Sequence, residues 1–260
     1  PRVAGGQAGN GLMGNARWTG VSLKSVLEKA GVQDGAIEVA FDGLDGPVLV
    51  ETPDFTKALE LEHALDGEVM LAWAMNGEDL PWLNGFPLRL VVPGHYGTYW
   101  VKHLNQITVR DTALDSFWMA KAYRIPANTC ACIEPGTIAA HTLPIARFNV
   151  RSFITNVVNG AKVAANAPLA LRGIAFDGGY GVSDVSLSAD GGQTWNRAKL
   201  GEDLGKYSFR EWTIALPVGA GDVALMVRAT NRIGQSQPLD ALWNPSGYMR
   251  NVVETTHVTA

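Results

Sequence analysis

The chain has 260 residues, of which 47% are hydrophobic and 18% charged, with 29 glycines and 13 prolines. This composition is that of a globular, loop-rich protein and excludes disordered and fibrous classes. The 21 basic and 25 acidic residues leave a net charge of −4, and no basic stripe indicates a nucleic-acid binder. No apolar run approaches the roughly 20 residues that a membrane-spanning helix needs.

The first half mixes helix and strand patterns. Apolar residues in 22–30 have helical spacing, with Ser22 at the start and Gly31 closing the helix. A second short helix is predicted over 56–65. Asn76-Gly77 is a strong hairpin turn signal. Strands are predicted at 37–41, 69–74, 88–92 and 101–109. Because strands and helices interleave without a regular βαβ repeat, the pattern favours an α+β domain.

From about Asn149 the helical patterns disappear and short β runs follow, separated by Gly-, Asp- and Pro-rich turns. Their close spacing predicts an antiparallel sandwich. The six runs are 150–156, 169–176, 182–189, 211–216, 223–230 and 252–258. Residues 122–143 show little periodicity, which is typical of a functional loop or a domain connector. We therefore predict two domains, 1–144 and 145–260.

The cysteines and histidines give no metal-site pattern. Cys130 and Cys132 are one residue apart, and such near neighbours rarely form a disulfide, so we expect two structural thiols. Two thiols alone do not make a zinc site, and the histidines form no H-x-x-x-H pair. No metal ligand is predicted.

Five strings, in order along the chain, together resemble the sulfite oxidase family. They are Gly14–Leu27 (GNARWTGVSLKSVL), Asn84–Leu104 (NGFPLRLVVPGHYGTYWVKHL), Val182–Ala198 (VSDVSLSADGGQTWNRA), Val227–Gln237 (VRATNRIGQSQ) and Trp243–Asn251 (WNPSGYMRN). Within the family, 96–109 and 123–136 look most similar to bacterial sulfite dehydrogenases and sulfane dehydrogenase subunits.

The resemblance implies a molybdopterin domain followed by an immunoglobulin-like dimerisation domain. The implied reaction is oxygen-atom transfer at molybdenum that oxidises sulfite to sulfate and passes electrons to a c-type cytochrome. It also implies a periplasmic homodimer or heterodimer. The alternatives are a sulfane dehydrogenase acting on protein-bound sulfane sulfur, and a cofactor-free dimeric binding remnant.

Two basic residues match the family's contacts to the pterin phosphate. Arg89 offers a bidentate guanidinium and Lys102 a point charge, which together suit a buried dianion. Without the resemblance, Arg89 would be interpreted as a charge at a strand end, and Lys102 as a solvated strand residue.

Further cofactor contacts are implied at five positions. Asn84 can donate to and accept from the pterin or its phosphate, although Asn-Gly is also an ordinary turn. Asp45 lies where a family acid accepts from the pterin ring, within a segment that otherwise reads as a turn. Trp100 and Val101 would offer backbone groups. His95 could bond the phosphate or serve simply as a turn residue.

Two catalytic residues are implied. Tyr123 aligns with the phenol that faces the substrate oxygen in the family; the alternative is a partly buried loop aromatic. Arg250 is a candidate for binding the sulfite oxyanion, because relatives place an arginine near this position; the alternative is a rim or interface charge.

The family's molybdenum-ligand cysteine belongs upstream of the segment with which this chain starts. Cys130 and Cys132 follow the matched tyrosine, so they lie in the wrong region to replace that ligand. We therefore expect an incomplete chain that, by itself, holds molybdenum poorly.

Overall fold

The computed structural model describes residues 9–260, which are mostly strands with few helices and separate into two compact units. The first unit comprises Gly14–Ala146 and Asn244–Tyr248. The second comprises residues 9–13, Arg147–Trp243 and Met249–Ala260. In this part of the chain, no helix has both the length and the apolar character to cross a membrane.

The first unit consists of short strands, three short α-helices and two single-turn 3-10 helices, Trp82–Asn84 and Gly97–Tyr99. The strands are β1 (Trp18–Ser22), β2 (Glu38–Gly43), β3 (Lys57–Glu60), β4 (Met70–Met75), β5 (Glu78–Asp79), β6 (Arg89–Val91), β7 (Leu104–Arg110), β8 (Arg124–Pro126) and β9 (Thr142–Pro144). The helices are α1 (Leu23–Ala30), α2 (Leu61–Ala64) and α3 (Phe117–Ala120). One sheet has the order β1-β4-β5 with β6 also paired to β4, a second is β3-β2-β7, and β8 pairs with β9.

Local sequence explains the elements that were predicted correctly. The apolar side of α1 buries Leu23 and Leu27, and the N–H of Gly31, in positive φ, donates to the Leu27 carbonyl at 3.0 Å. Asn76 and Gly77 have φ values of 55° and 89°, as a tight hairpin turn between β4 and β5 requires. The predictions of this helix and this turn are confirmed.

Two predicted elements in the first unit are wrong. Of the ten residues in the helix predicted over 56–65, Lys57–Glu60 form β3 and only Leu61–Ala64 form a helix, α2. Strand β3 pairs antiparallel with β2, with Leu59 opposite Val39, so ladder hydrogen bonds and burial override the helical spacing. The strand predicted from residue 101 begins only at Leu104, because His103 has a left-handed φ of 50° that interrupts extended backbone.

The second unit contains strands and no helix among its described residues. The strands are β10 (Arg151–Ile154), β11 (Ala161–Lys162), β12 (Ala167–Phe176), β13 (Val182–Ser188), β14 (Asn196–Arg197), β15 (Lys199–Leu200), β16 (Arg210–Val218), β17 (Asp222–Asn231) and β18 (Glu254–Thr259). Two sheets, β10-β12-β16-β15 and β11-β18-β17-β13-β14, share one core around Trp212, Leu187 and Leu225. Each of the six predicted β runs contains a strand.

The DGG segment of the second unit is a side-chain-stabilised turn. The Asp190 carboxylate accepts from the backbone N–H and the hydroxyl of Thr194, and from the hydroxyl of Ser188. These hydrogen bonds lower the pKa of Asp190 to about 2. Gly191 and Gly192 supply the positive φ values that the turn needs. The motif therefore has a structural role.

The two cysteines form a disulfide, so the expectation of two free structural thiols is wrong. Ala131 between them has a left-handed φ of 51°, and the two Cα atoms lie 5.1 Å apart, a separation that a disulfide can bridge. The loop is further closed by Asn128, whose Nδ2 donates to the Cys132 carbonyl at 2.8 Å. The bridge lies in the loop between β8 and β9.

Replacing both cysteines by serine should lower the free energy of unfolding by at most about 2 kcal/mol, because the bridge closes a very short loop and removes little entropy from the unfolded chain. Urea titration of the double variant against the oxidised wild type checks this. A loss well above that value would show that the bridge holds more of the first unit together than its own loop.

Candidate functional site

A buried guanidinium lies at the centre of the first unit. Arg89 on β6 is 8% exposed, and its Nη1 and Nη2 donate to the carbonyls of Asn84 and Trp100 at 2.8 and 3.2 Å. Its Cζ lies 5.0 Å from the ring centre of Trp18 and 5.6 Å from that of Trp100. Burial lowers the pKa of Arg89 to about 10. The charge is therefore held by carbonyls and aromatic faces.

The turn at residues 84–85 packs directly against both predicted phosphate-binding cations. Gly85 has a φ of 108°, and a Cβ on it would lie 3.0 Å from the Cβ of Arg89 and 3.1 Å from the Cβ of Lys102. The Nζ of Lys102 donates to the Leu83 carbonyl at 2.9 Å. The structure thus brings Asn84, Arg89 and Lys102 together, and a side chain at position 85 would crowd Arg89 and Lys102 and strain the backbone.

The predicted pterin-contacting acid lies beside the same residues. A Cβ on Gly43 would lie 2.5 Å from Oδ1 of Asp45 and 2.7 Å from the carbonyl oxygen of Lys102. The N–H of Leu44 donates to the His103 carbonyl at 2.9 Å, which fixes the segment there. Asp45 therefore joins the cluster, although it precedes Asn84 by a long stretch of chain.

The backbone groups of Trp100 and Val101 are already used within the protein. Their N–H groups donate to the carbonyls of Gly97 and Tyr99, and their carbonyls accept from Arg89 and from the N–H of Leu90. If these two residues contact a ligand through their backbone, only the second lone pair of each carbonyl oxygen is left to accept a hydrogen bond from it.

The structure places His95 in aromatic packing. Its buried ring stacks on that of His63 with centroids 4.5 Å apart and meets the edge of Tyr99 at 5.5 Å. Its carbonyl accepts from Nε1 of Trp100 at 3.1 Å. The role of His95 as a phosphate contact or a turn residue stays a prediction.

Tyr123, the predicted catalytic phenol, is half-buried in a group of aromatic rings. Its ring centre lies 5.5 Å from that of Tyr248 and 6.0 Å from that of Trp118. Its φ of 54° is unusual for a residue other than glycine, and such backbone conformations cluster at functional sites. Tyr248 was not predicted as a site residue, since its segment, Trp243–Asn251, was noted only for the family resemblance and for Arg250.

A buried lysine lies behind these rings, and the sequence analysis missed it. Lys57 on β3 is 0% exposed, its Nζ donates to the Trp118 carbonyl at 2.8 Å, and it lies 4.5 Å from the ring centre of Tyr99 and 5.4 Å from that of Tyr123. Burial and then the charge of Arg124 lower the pKa of Lys57 to about 8. The sequence signal would have been a lysine within a short buried strand, and the helix predicted over this segment prevented that interpretation.

Arg250 lies in the second unit, where its guanidinium is paired with an acid. Its side chain is 53% exposed and lies 2.5 Å from the Glu254 carboxylate, which Arg151 also contacts at 2.6 Å. An oxyanion would therefore compete with Glu254 for this guanidinium. The substrate role of Arg250 stays a prediction.

Four cations of the first unit share an electrostatic property. Across residues 9–260, none of them forms an ion pair with a carboxylate; they are Lys57, Arg89, Lys102 and Arg124. Arg124 donates instead to the carbonyls of Met119 and Thr142, both at 2.5 Å. Lys57 and Arg89 are buried, whereas Arg124 is half-buried and Lys102 is exposed. Burying the first two charges without acids is costly, and an anionic ligand would offset that cost.

The donor set therefore fits a phosphate-bearing cofactor but does not include a ligand for its metal. Arg89 and Lys102 flank the narrow Gly85 turn, and Asp45 can accept from a heterocycle. Both cysteines are in the disulfide, and no group of three or more His, Cys, Asp or Glu within 9–260 could hold a metal ion.

Comparison with known proteins matches nearly the whole chain. The family described as "Oxidoreductase molybdopterin binding domain" matches residues 2–118, and "Mo-co oxidoreductase dimerisation domain" matches residues 142–260. Mitochondrial sulfite oxidase of Macaca fascicularis is 33% identical over 95% of the chain, and that of Homo sapiens is 32% identical over 95%. The chain spans 47% of the length of each of these relatives.

More distant matches agree in fold. Nitrate reductase [NADH] of Spinacia oleracea is 30% identical over 94% of the chain, which spans 29% of that protein. The crystal structure of the sulfane dehydrogenase SoxCD from Paracoccus pantotrophus superposes on the chain with a TM-score of 0.79 and 24% sequence identity. The match covers 94% of the present chain and 60% of the SoxCD chain. This last likeness shows a shared fold.

Replacing Gly85 by alanine should lower the free energy of unfolding by about 1–3 kcal/mol, because the new methyl group meets Arg89 and Lys102 and the positive φ is strained. Chemical denaturation measures the loss. Gly46→Ala is the matched control, since a Cβ there meets nothing within 4 Å; equal stability losses in the two variants would contradict the close packing of the turn.

Proposed function

Because the chain belongs to the sulfite oxidase family of molybdopterin oxidoreductases, we propose that its protein oxidises sulfite to sulfate at a molybdopterin-bound molybdenum and passes the electrons to a c-type cytochrome. The observation that carries the proposal is the buried guanidinium of Arg89, held beside Lys102 with no carboxylate partner among residues 9–260. That arrangement suits a dianionic phosphate, which would supply the countercharge that the neighbouring carbonyls do not.

The cofactor, when bound, supplies an oxo group that can be transferred to the sulfur of sulfite and a metal that takes up the electron pair. The chain's own part is to bind and orient it. Arg89 donates to the phosphate from a guanidinium that neighbouring carbonyls already hold in place, and Lys102 adds a second charge. Asn84 bonds the same group, and Asp45 accepts from the N–H groups of the pterin ring.

Tyr123 is the residue that we assign to the substrate. Its phenol donates a hydrogen bond to an oxygen of sulfite or of the departing sulfate and takes part in moving the proton at that position. The rings of Tyr248 and Trp118 restrict its movement. Arg250 is proposed separately as a candidate for binding the oxyanion, in competition with its pairing to Glu254.

The second unit is proposed to pair subunits as an immunoglobulin-like dimerisation domain, in either a homodimer or a heterodimer with a cytochrome subunit. The match of residues 142–260 to a dimerisation domain supports pairing. The periplasmic location and the cytochrome acceptor rest on the resemblance of residues 96–109 and 123–136 to bacterial sulfite dehydrogenases.

Replacing Arg89 by alanine in the full-length protein should lower molybdenum per chain at least about tenfold, because the phosphate loses its buried charge-assisted hydrogen bonds. Elemental mass spectrometry on protein from its native source measures the content. Arg17→Ala, an exposed arginine of the same unit, is the control. An unchanged molybdenum content in Arg89→Ala would refute its phosphate role. A wild-type protein without molybdenum would favour the cofactor-free binding protein.

Replacing Tyr123 by phenylalanine should lower kcat for sulfite about 10- to 100-fold with molybdenum content unchanged, because one hydrogen bond and one proton-transfer group are lost. Steady-state kinetics with cytochrome c measure this. Tyr180→Phe, at an exposed tyrosine of the second unit, is the control. Wild-type kinetics in Tyr123→Phe would show that Tyr123 has no part in the mechanism. If the wild-type protein oxidises protein-bound sulfane sulfur but not sulfite, the substrate is the sulfane sulfur.

A further inference from the structure

We propose that Lys57 is a positioning residue for the proposed reaction, an ammonium buried behind Tyr123 that holds the phenol in place and keeps the surroundings of the substrate electropositive. The inference rests on the function proposed for Tyr123. It assigns a role to a lysine that no sequence pattern indicated.

The geometry gives Lys57 contacts with both sides of the aromatic group. Its Nζ lies 4.5 Å from the ring centre of Tyr99 and 5.4 Å from that of Tyr123, within reach of cation–π attraction to both. A third contact, the 2.8 Å hydrogen bond to the Trp118 carbonyl, joins the ammonium to α3. Tyr99 is itself fixed by its hydroxyl, which donates to the Ile145 carbonyl at 2.5 Å. The lysine therefore connects a fixed ring to the ring of Tyr123.

The charge of Lys57 is the part that simple packing does not explain. No carboxylate within 9–260 forms an ion pair with it, and the charged neighbour that acts on it most is the cation Arg124. A methionine would fill a similar volume without the cost of burying a charge. Because retaining an unpaired buried ammonium lowers stability, its presence beside the candidate catalytic phenol indicates that the charge itself is used.

Several other titratable groups surround this position. Glu60 and Arg124 act on Tyr99, with opposite signs. Tyr248 packs against Tyr123, and the stacked pair His63 and His95 meets the edge of Tyr99. Among the groups that act directly on Lys57, only Arg124 carries a full charge. The ammonium therefore prevails below about pH 8 and is lost as the pH rises through that value, which is where its contribution to catalysis should disappear.

The test compares Lys57→Met with Lys24→Met in the cofactor-loaded full-length protein. Lys24 lies on α1 with its side chain 45% exposed, so it controls for the loss of a lysine from the same unit. We expect Lys57→Met to lower kcat for sulfite about 10- to 30-fold with little change in molybdenum, and to unfold at the same or a higher temperature than the wild type. A purely structural lysine would give the reverse, with a lower unfolding temperature and unchanged kcat.

A second measurement needs no turnover and leaves Lys57 itself in place. In protein labelled with ¹³C at the lysine ε carbons, the Lys57 signal should be shifted upfield by the two rings and should titrate near pH 8. Tyr123→Leu should reduce that upfield shift, and Tyr123→Phe should retain it. A Lys57 signal at the position of exposed lysines, or one unaffected by Tyr123→Leu, would overturn the proposal.

The outcomes separate this inference from the proposed function. If Tyr123→Phe slows turnover while Lys57→Met leaves kcat unchanged, only the role of Lys57 is wrong. If Tyr123→Phe has wild-type kinetics, the proposed mechanism is wrong, whatever Lys57 does.

Discussion

The arrangement of the candidate site depends on how one guanidinium is held. Arg89 is buried, and its guanidinium donates to the carbonyls of Asn84 and Trp100, which lie on either side of it in the sequence, and at 3.5 Å to that of Leu90. These bonds tie strand β6 to the turn that precedes it and to the segment that follows it. Because the acceptors are neutral carbonyls, they do not neutralise the charge of the guanidinium. The close contacts of Gly85 and the position of Lys102 follow from this arrangement.

The elements that the sequence predicted correctly are those specified by short-range patterns. Helix α1 has its own apolar face, the Asn76-Gly77 turn has its own backbone preference, and the second-unit strands alternate between two sheet faces. Lys57 was misplaced because its segment has helical spacing, whereas its conformation is decided by pairing with β2, which is distant in sequence. The same limit applies to Tyr248, which reaches Tyr123 only through the fold.

The disulfide shows another kind of limit. Statistics for near-neighbour cysteines predict free thiols, but the left-handed backbone of Ala131 brings the two Cα atoms close enough to be bridged. No pattern in the surrounding residues predicts that conformation. By contrast, the predicted contacts Asp45, Asn84, Arg89 and Lys102 do lie together, because a resemblance over five ordered strings carries long-range information that periodicity lacks.

The unpaired cations of the first unit also bear on how fast an anion arrives. The chain as a whole has a net charge of −4, so at long range it repels a dianion. Within a Debye length of about 8 Å at physiological ionic strength, we expect the positive charges of Lys57, Arg89, Lys102 and Arg124, which form no ion pair with a carboxylate among residues 9–260, to outweigh that repulsion. The second-order rate constant for association should therefore depend on salt through two opposing contributions. Added salt screens the distant repulsion first and the local attraction only at higher concentration, so the association rate should pass through a maximum as ionic strength increases.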